Sequence, residues 1–428
     1  MMMVLSMHKP KFVGIILILL LGTYLLFLYF DIKSSKISFN PSPIEPIPEK
    51  NEDEEEKEIV KEAITGNIIF KSSISSELQN DLSSFLKIFF DKYYRIMQNL
   101  KMEDVSEEFI SLEDAYIYET ALNLLIENRI QKEFDLSLIK ASYDLEVKNV
   151  TVNNDNIKLT VLENNKINFT FIPQYESKVY NVENNFTLTK ENGIYKISKY
   201  EKVQDFFVMI TDVYKKTSDY KSVLDKIKLD YLAKFETQNA KIAQMREDYL
   251  VGTHESLTCD YGFNRDAAYD YAIKWVGKRN SEWKTYSANC VNYVSQVMYA
   301  GGIPMDYIGS QQWKHYGNKY NKNNVAEGFV YSWTYVPSIV DYFKKNTGYG
   351  LCGKYDDNLY YGEAGDVIVV GSKGPTRHVI SVIGQIKDEN GKVIDLLVNS
   401  NTVDLEYFPL SAYAYPYKIL MKVYGWNK

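Results

Sequence analysis

The sequence has few residues of the kinds that build metal and nucleotide sites. Its 428 residues include three cysteines and four histidines. Neither a His-Glu-x-x-His helix nor a Cys-x-x-Cys pair occurs, so the usual zinc signatures are missing. A Gly-x-Ser-x-Gly elbow and a phosphate-cradling glycine loop are also missing, which argues against a serine hydrolase of that type and a P-loop protein. We expect no metal and no cofactor.

Positive charge is also in short supply. The formal net charge is -7, whereas a nucleic-acid binder needs a basic face for phosphates. We therefore expect no nucleic-acid partner. Apolar residues make up 45% of the chain and aromatic residues 14%, which is ample for packed cores and argues against wholesale disorder. At about 100 to 200 residues per domain, the length favours two or three modules.

One long uncharged run stands near the N-terminus, residues 13–30. As a helix rising about 1.5 Å per residue, it would span roughly 27 Å, close to the apolar thickness of a bilayer. The run ends in bulky residues, which favours an uncleaved signal anchor over a cleavable signal peptide. Lys9 and Lys11 precede it, so residues 1–12 are expected in the cytoplasm and the chain from Asp31 onward outside. The expected location is the cell membrane, crossed once, with extracellular C-terminal domains.

Two segments follow the predicted anchor. Residues 31–60 carry closely spaced prolines and then an acidic run, a composition typical of an extended linker. Residues 61–205 show helical and then strand spacing of apolar residues, and the Asn192-Gly193 pair predicts a hairpin turn. This segment has neither a cysteine nor a histidine. We expect an α+β accessory domain, helices first and strands after, that acts as a spacer or binding module.

The rest of the chain is expected to hold the chemistry. Residues 206–256 carry a helical apolar stripe, interrupted near residues 237–240, that predicts a helical connector. Residues 257–428 contain all three cysteines and two of the four histidines. By elimination a cysteine is the leading candidate for a catalytic group. We therefore expect the catalytic domain over residues 257–428.

The stretch YSANCVNYVSQVMYAGG, residues 286–302, places Cys290 beside two asparagines. Apolar residues at helical spacing and the Gly301-Gly302 pair predict a short helix with Cys290 in its first turn. Backbone N–H groups at a helix start stabilise a thiolate and lower its pKa. A lone free cysteine is more often a buried and inert core residue, so both interpretations of Cys290 stay open at this point.

A thiolate nucleophile needs a proton acceptor. Beyond the predicted membrane segment the chain has three histidines, His254, His315 and His378. We expect His315 in a loop and His254 ahead of the catalytic domain. His378 begins a predicted strand after a glycine-rich turn, where its ring can project across a cleft. We therefore assign His378 as the base.

A third polar group is expected to hold the imidazole by its other nitrogen. The next predicted strand supplies Asn399 and Asn401, which share one face under the two-residue period of a strand. Either asparagine could take this role, and Asp404 is a weaker choice.

The C-terminal region carries five stretches in a recognisable order: RDAAYDYAIKWVGKRN, NCVNYVSQVMYAGGIPM, AGDVIVV, RHVISVI and SNTVDL. Together they resemble the putative amidase domain family, a branch of the papain-like cysteine peptidases and amidohydrolases. That family's core motif is close to Asp/Asn-Cys-Thr-Asn-Phe-Val-Ser-Gln, and residues 289–296 match it nearly position for position. The resemblance implies a papain-like α+β domain whose nucleophile helix packs on an antiparallel sheet, with Cys290 as nucleophile and His378 as base.

Two departures from the family pattern concern the groups around this pair. Where the family tends to have His-Thr-x-Asp, residues 401–404 are Asn-Thr-Val-Asp, which suits an asparagine as the orienting group. Papain-type enzymes place a glutamine six residues before the cysteine, and here that position is Lys284. The second oxyanion donor, beside the Cys290 N–H, is therefore unassigned.

The sequence leads to one expected function and two alternatives. We expect a membrane-anchored extracellular thiol amidase or peptidase that hydrolyses amide bonds through a Cys-His(-Asn) site. Its partners would be the membrane, through residues 13–30, and an amide or peptide substrate, with peptidoglycan peptides the nearest amides if the cell is Gram-positive, as the family suggests. The alternatives are an acyl transferase using the same thioester and a non-catalytic cell-surface binding protein on an amidase-like scaffold.

The other two cysteines, Cys259 and Cys352, are either bridged or free thiols. Outside the cell an odd number of cysteines leaves one thiol over. Either these two form a disulfide and Cys290 is the free thiol, or all three are free.

Overall fold

The computed structural model describes residues 60–153, 156–252, 254–308, 311–315, 329–375 and 377–428. Within these ranges the chain is α+β, with seven helices and a 12-stranded mixed sheet. The expected class is therefore confirmed. The predicted membrane segment lies outside the described residues, and so does all of the predicted linker except its last residue. Among the residues that are described, none of the helices has the length and apolar character needed to cross a bilayer.

The elements come in blocks along the chain. The helices are α1 (Ser76–Asn99), α2 (Leu112–Ile130), α3 (Asp205–Thr211), α4 (Tyr220–Val251), α5 (Arg265–Trp275), α6 (Cys290–Ala300) and α7 (Val336–Lys345). The strands are β1 (Thr65–Phe70), β2 (Leu138–Asn153), β3 (Asn156–Phe169), β4 (Ser177–Glu191), β5 (Ile194–Lys202), β6 (Tyr261–Gly262), β7 (Gly350–Asp357), β8 (Val367–Gly371), β9 (His378–Lys387), β10 (Val393–Ser400), β11 (Asp404–Pro409) and β12 (Tyr417–Asn427). The predicted order of helices and then strands holds from α1 to β5, and β1 precedes it.

Local sequence explains where α1 begins and which face it buries. The Ser75 hydroxyl accepts a hydrogen bond from the Leu78 N–H at 3.3 Å, which caps the helix start. Leu82, Leu86 and Phe89 recur at helical spacing and are buried against the sheet. Each such burial contributes about 1.5–3 kcal/mol, so the apolar stripe, more than helix propensity, holds α1 in place.

The hairpin between β4 and β5 follows the sequence prediction. Glu191 pairs with Ile194, and Asn192 and Gly193 between them have φ of 51° and 83°. Two consecutive residues with positive φ make the turn type that matches the twist of the flanking strands, and Asn-Gly adopts it at low cost. The predicted turn is confirmed.

A single sheet connects the two parts of the chain that we predicted as separate domains. The strand order is β1-β2-β3-β4-β11-β10-β9-β8-β12-β6, with β5 on β4 and β7 on β12. β1 is parallel to β2 and every other neighbouring pair is antiparallel. The start of β4 pairs with β11 through Tyr180 and Asp404, while its remainder pairs with β5. The accessory strands therefore extend the sheet that carries His378.

The connector is a single helix, α4, as its apolar stripe predicts. It runs without a break over Tyr220–Val251, although the stripe itself is interrupted near residues 237–240. The Thr237 hydroxyl donates to the Ala233 carbonyl at 2.9 Å, which satisfies this polar side chain inside the helix. Because α4 packs against α2, local polar residues do not end it.

Cys259 and Cys352 form a disulfide with their Cα atoms 6.0 Å apart. The bond ties the segment ahead of α5 to β7. It closes a loop with a sequence separation of 93, for which chain entropy alone gives about 4–5 kcal/mol. The bridged alternative is confirmed, and Cys290 is the free cysteine of the described chain.

Candidate active site

Cys290 is the first residue of α6 and is 6% exposed. The first intrahelical bond runs from the Tyr293 N–H to the Asn289 carbonyl at 2.8 Å. The N–H groups of Cys290 and Val291 belong to the first turn and have no intrahelical acceptor, as at any helix start. The predicted position of the cysteine in the helix is confirmed, and donors for a developing negative charge stand beside its sulfur.

The polar residues of the cysteine motif hold α6 in the core. Asn292 donates to the Asn289 side-chain oxygen at 2.9 Å and accepts from the Trp333 indole N–H at 3.0 Å. Ser295 accepts from the Trp313 indole N–H at 3.2 Å. Residues Cys290 to Met298 are buried on every face of the helix, so these polar groups need such partners. The motif therefore fixes the position of the helix as well as supplying its thiol.

His378 is the first residue of β9, as predicted, and α6 packs on this strand. Its side chain is buried, and Nε2 lies 2.8 Å from the hydroxyl oxygen of Ser400 at the end of β10. The His378 ring is nearly parallel to the ring of Tyr413, with centroids 6.5 Å apart. Ser400 and Tyr413 thus set the position of the imidazole.

Neither predicted asparagine hydrogen-bonds to His378 in the described chain. The Asn399 side-chain oxygen accepts from the Tyr407 N–H at 2.9 Å, and Asn401 contacts Asn289. The register of β10 against β11 shifts between Val398 and Ser400, and such a bulge breaks the two-residue alternation of side chains. Ser400, which stands between the two asparagines, was therefore not predicted, because no local sequence pattern indicates the bulge.

Asn401 and Thr402 hydrogen-bond to Asn289 at the start of the cysteine helix instead. The Asn401 side-chain oxygen accepts from Asn289 Nδ2 at 2.7 Å, and the Thr402 hydroxyl accepts from the Asn289 backbone N–H at 2.6 Å. Thr402 and Val403 have φ of 86° and 49°, which is unusual for β-branched residues. Asp404, the weaker third choice, forms an ion pair with Arg279 at 3.1 Å. Residues 401–404 are thus a tight turn that positions the residue before Cys290.

Burial sets the protonation of both candidate catalytic groups. It raises the pKa of the Cys290 thiol, although the backbone N–H groups of Val379, Val291 and Cys290 act in the opposite direction. Burial, helped by the charge of Arg377, lowers the pKa of His378 to about 4. No hydrogen bond joins the Cys290 sulfur to His378 in the described residues. The expected lowering of the thiol pKa is therefore wrong for this state, in which both groups are neutral near pH 7.

The other two histidines are held at other places. His315 is fully buried, its Nε2 lies 3.0 Å from the Tyr286 hydroxyl, and burial followed by the charge of Lys284 lowers its pKa to about 4. His254 Nε2 lies 3.0 Å from an Asp357 carboxylate oxygen. These contacts leave His378 as the histidine beside the cysteine helix.

Lys284, at the position of the papain-type glutamine, is directed toward aromatic rings. Its ammonium lies 5.3 Å from the ring centroid of Tyr286 and 5.8 Å from that of Phe329. Its backbone carbonyl accepts from Asn292 Nδ2 at 3.0 Å. A small cleft beside α6 includes Lys284 in its lining but neither Cys290 nor His378. In the ranges that the structure describes, no group of three or more metal-ligating side chains occurs.

A match to a known protein family falls in the C-terminal part of the chain. Residues 262–424 match the family described as "Putative amidase domain", which confirms the resemblance seen in the sequence and indicates amide hydrolysis.

A curated relative matches a similar share of the chain. It is "Uncharacterized protein YhbB" of Bacillus subtilis (strain 168), which is 31% identical over 147 residues. This match covers 34% of the present chain and 43% of that relative's length. No solved structure matches the chain.

Proposed function

We propose that the protein is a membrane-anchored extracellular thiol amidase or peptidase that hydrolyses amide bonds through Cys290 and His378. The observation that carries the proposal is the packing of α6, which begins at the free cysteine, on β9, which begins at the histidine. The Val379 backbone N–H, one residue from His378, acts to lower the pKa of the Cys290 thiol. This packing supports a site in which nucleophile, base and first-turn N–H donors lie at one end of the helix.

Ser400 is the group that we assign to orient the base. Its hydroxyl contacts Nε2 of His378, so Nδ1 is the nitrogen left for proton transfer with Cys290. A hydroxyl can donate or accept, so it can stay bonded to the imidazole in both protonation states. Asn401 acts one step further away, because it holds Asn289 and with it the start of α6.

The reaction follows from these roles. His378 takes the proton of the Cys290 thiol as the sulfur attacks the amide carbonyl carbon, and N–H groups of the first turn of α6 stabilise the oxyanion. The imidazolium then protonates the leaving nitrogen, the C–N bond breaks, and an acyl thioester remains. Water loses a proton to His378 and attacks the thioester, and the C–S bond breaks to regenerate the thiol.

The neutral resting state requires proton transfer to accompany attack. With the His378 pKa near 4 and the thiol pKa raised, a preformed thiolate-imidazolium pair is unfavourable in the buried site. When substrate is in place, negative charge develops on the oxyanion and the N–H donors of α6 stabilise it. Proton transfer from Cys290 to His378 therefore becomes favourable only with substrate bound. The site is thereby protected from unproductive thiol chemistry.

The substrate class rests on location. The predicted anchor and spacer would hold the catalytic part outside the membrane, within reach of wall peptides. Peptidoglycan stem peptides are the nearest abundant amides there if the cell is Gram-positive, as the family suggests. We therefore propose these peptides as substrate.

A non-catalytic wall-binding protein is the second candidate. The raised thiol pKa and the lack of a Cys290–His378 hydrogen bond favour it, since both describe an unreactive thiol. The full-length protein, incubated with purified wall peptides and quenched in acid, separates the two. An acyl adduct on the peptide containing Cys290, absent in Cys290→Ala, supports the enzyme, whereas wall binding with neither adduct nor released amine supports the binding protein.

A further inference from the structure

A buried cluster of one glutamate, one asparagine and one lysine lies in the accessory strands. Glu163 is in β3, Asn184 is in β4 and Lys202 is the last residue of β5. Glu163 and Asn184 are 0% exposed, and Lys202 is 4% exposed. Glutamate and lysine are almost never buried so completely unless they are paired. The three side chains take no part in the proposed amide hydrolysis, so their burial calls for a separate explanation.

The pairing of β4 with β5 brings the lysine beside the asparagine. Asn184 and Lys202 are direct partners in the strand register, and Cβ atoms of such facing residues are about 4.5–5.5 Å apart. One carboxylate oxygen, Oε2 of Glu163, accepts from Lys202 Nζ at 2.9 Å and from Asn184 Nδ2 at 3.1 Å. The two nitrogens therefore lie no further apart than two hydrogen-bond lengths, with the carboxylate between them.

This arrangement has the groups that amide formation between two side chains requires. An amine must lose a proton to become a nucleophile, and a leaving nitrogen must gain one. Glu163 contacts both nitrogens, so it can take the first proton and supply the second. The Tyr200 hydroxyl donates to Asn184 Oδ1 at 2.7 Å, which polarises the amide carbonyl and is placed to stabilise an oxyanion.

Lys202 and Glu163 are ionised at rest. Burial acts to raise the pKa of Glu163 and to lower that of Lys202, but the mutual attraction of the two charges outweighs it. The pKa of Glu163 therefore lies below its ordinary value and that of Lys202 above. Transfer of one proton across their 2.9 Å contact neutralises both groups, and the buried surroundings favour the uncharged forms. The transfer leaves a free amine beside the amide.

We propose that Lys202 and Asn184 become joined by an isopeptide bond that the protein forms on itself. Glu163 takes a proton from the Lys202 ammonium group, and the free amine attacks Cγ of Asn184. Glu163 gives that proton to Nδ2 and takes a second one from the attacking nitrogen. The Cγ–Nδ2 bond breaks, ammonia leaves with the bonding electron pair, and the carbonyl re-forms. The product has a neutral amide and a protonated Glu163 in place of a buried ion pair.

The departing ammonia has a space to enter. A cavity of about 30 Å³ is lined in part by Tyr93, Tyr94 and Asn165, and a space of that size holds a water-sized molecule. The Tyr94 hydroxyl and, at 3.4 Å, Asn165 Nδ2 donate to Oε1 of Glu163. The cavity therefore lies beside the carboxylate that delivers the proton to the leaving nitrogen.

Mass spectrometry of the full-length protein, purified in detergent and reduced to open its disulfide, tests the proposal. The intact mass should lie about 17 Da below that of the sequence, because one ammonia is lost. A tryptic digest should contain one branched peptide that joins the Asn184 and Lys202 segments, uncleaved after Lys202. The full sequence mass with two separate peptides would overturn the proposal, and so would an ammonia loss that maps to another residue.

Two variants test the role of Glu163. Glu163→Gln should abolish the mass loss and the branched peptide, because glutamine cannot carry the proton. Glu183→Gln is the matched control and should keep both, since Glu183 is also buried and accepts from Asn185 Nδ2 at 2.6 Å. An undiminished branched peptide in Glu163→Gln would overturn the assignment of the glutamate. If Glu163→Gln fails to fold, the mass of the wild-type protein still decides whether the bond exists.

Discussion

His378 Nε2 and the Ser400 hydroxyl lie 2.8 Å apart with both side chains buried. One nitrogen of the imidazole is thereby engaged, and the ring is held at the mouth of β9. From the resemblance to papain-type enzymes we expected an asparagine to make this contact, and here a serine makes it. The two atoms are close together, but their contact depends on the bulge in β10 that turns the Ser400 side chain toward His378.

Ser400→Ala should lower kcat by about tenfold to a hundredfold with KM little changed, because the imidazole loses the hydrogen bond that fixes its rotation. Steady-state kinetics on a wall peptide measure the effect. Ser381→Ala is the matched control, since Ser381 is also buried and donates to the Val382 carbonyl at 3.2 Å on the same strand as His378. Equal kinetics for Ser400→Ala and wild type would remove Ser400 from the site.

Asn401→Ala should act mainly on stability. It leaves the Asn289 side-chain donor, buried against the start of α6, without its acceptor at 2.7 Å. Removal of a buried hydrogen-bond partner costs about 1–3 kcal/mol, so the urea midpoint should fall. The midpoint of Ser400→Ala serves as the comparison. If Asn401→Ala kept its stability while kcat fell more than in Ser400→Ala, Asn401 would be the orienting group after all.

The acid limb of activity should lie near pH 4, well below the usual histidine range, because the reaction needs a neutral His378 and burial lowers the pKa of His378 to about 4. A kcat/KM profile between pH 3.5 and 8 in constant ionic strength measures it. Replacement of the neighbouring charge by Arg377→Gln should move the limb upward. A limb near 6.5 would show that His378 is solvated in the working enzyme.

Stability should also decline in acid. The unfolded chain takes up a proton near the usual histidine pKa of about 6.5, while folded His378 and His315 resist protonation down to about pH 4. The stability from these two groups is therefore fully present above pH 6.5 and is lost as the pH falls toward 4, at roughly 3 kcal/mol for each. Urea unfolding at several pH values tests this. A flat free energy of unfolding over that interval would refute it.

Cys290 should react slowly with iodoacetamide near neutral pH, since burial raises the pKa of its thiol and only the thiolate is nucleophilic. Peptide mass spectrometry should give an apparent pKa above the free-thiol value of about 8.5. His378→Gln should change this little, and His254→Gln, which alters a histidine bonded to Asp357 instead, is the control. Fast labelling at pH 7 that His378→Gln abolishes would establish a preformed ion pair.

How far the sequence could lead is clear from particular residues. The bounds of α6 and the turn at Asn192-Gly193 depend on local spacing and on glycine, so both were predictable. The contact of Ser400 with His378 was not predictable, because a bulge in β10 depends on pairing with β11. The direction of the Cys290 pKa shift was also not predictable, since burial is a property of the whole fold. The pairing of β4 with β11 joins residues far apart in the chain, and no local pattern indicates it.

Release of new amines from purified wall peptides by the full-length protein tests directly whether Cys290 is the nucleophile of an amidase. Wild type should release them, and Cys290→Ala and Cys290→Ser should release none while their urea midpoints stay close to that of wild type. Release that persists in Cys290→Ala would contradict the assignment of Cys290 as the nucleophile. No release by wild type, together with firm binding to the wall, would contradict the enzymatic account and leave a binding protein.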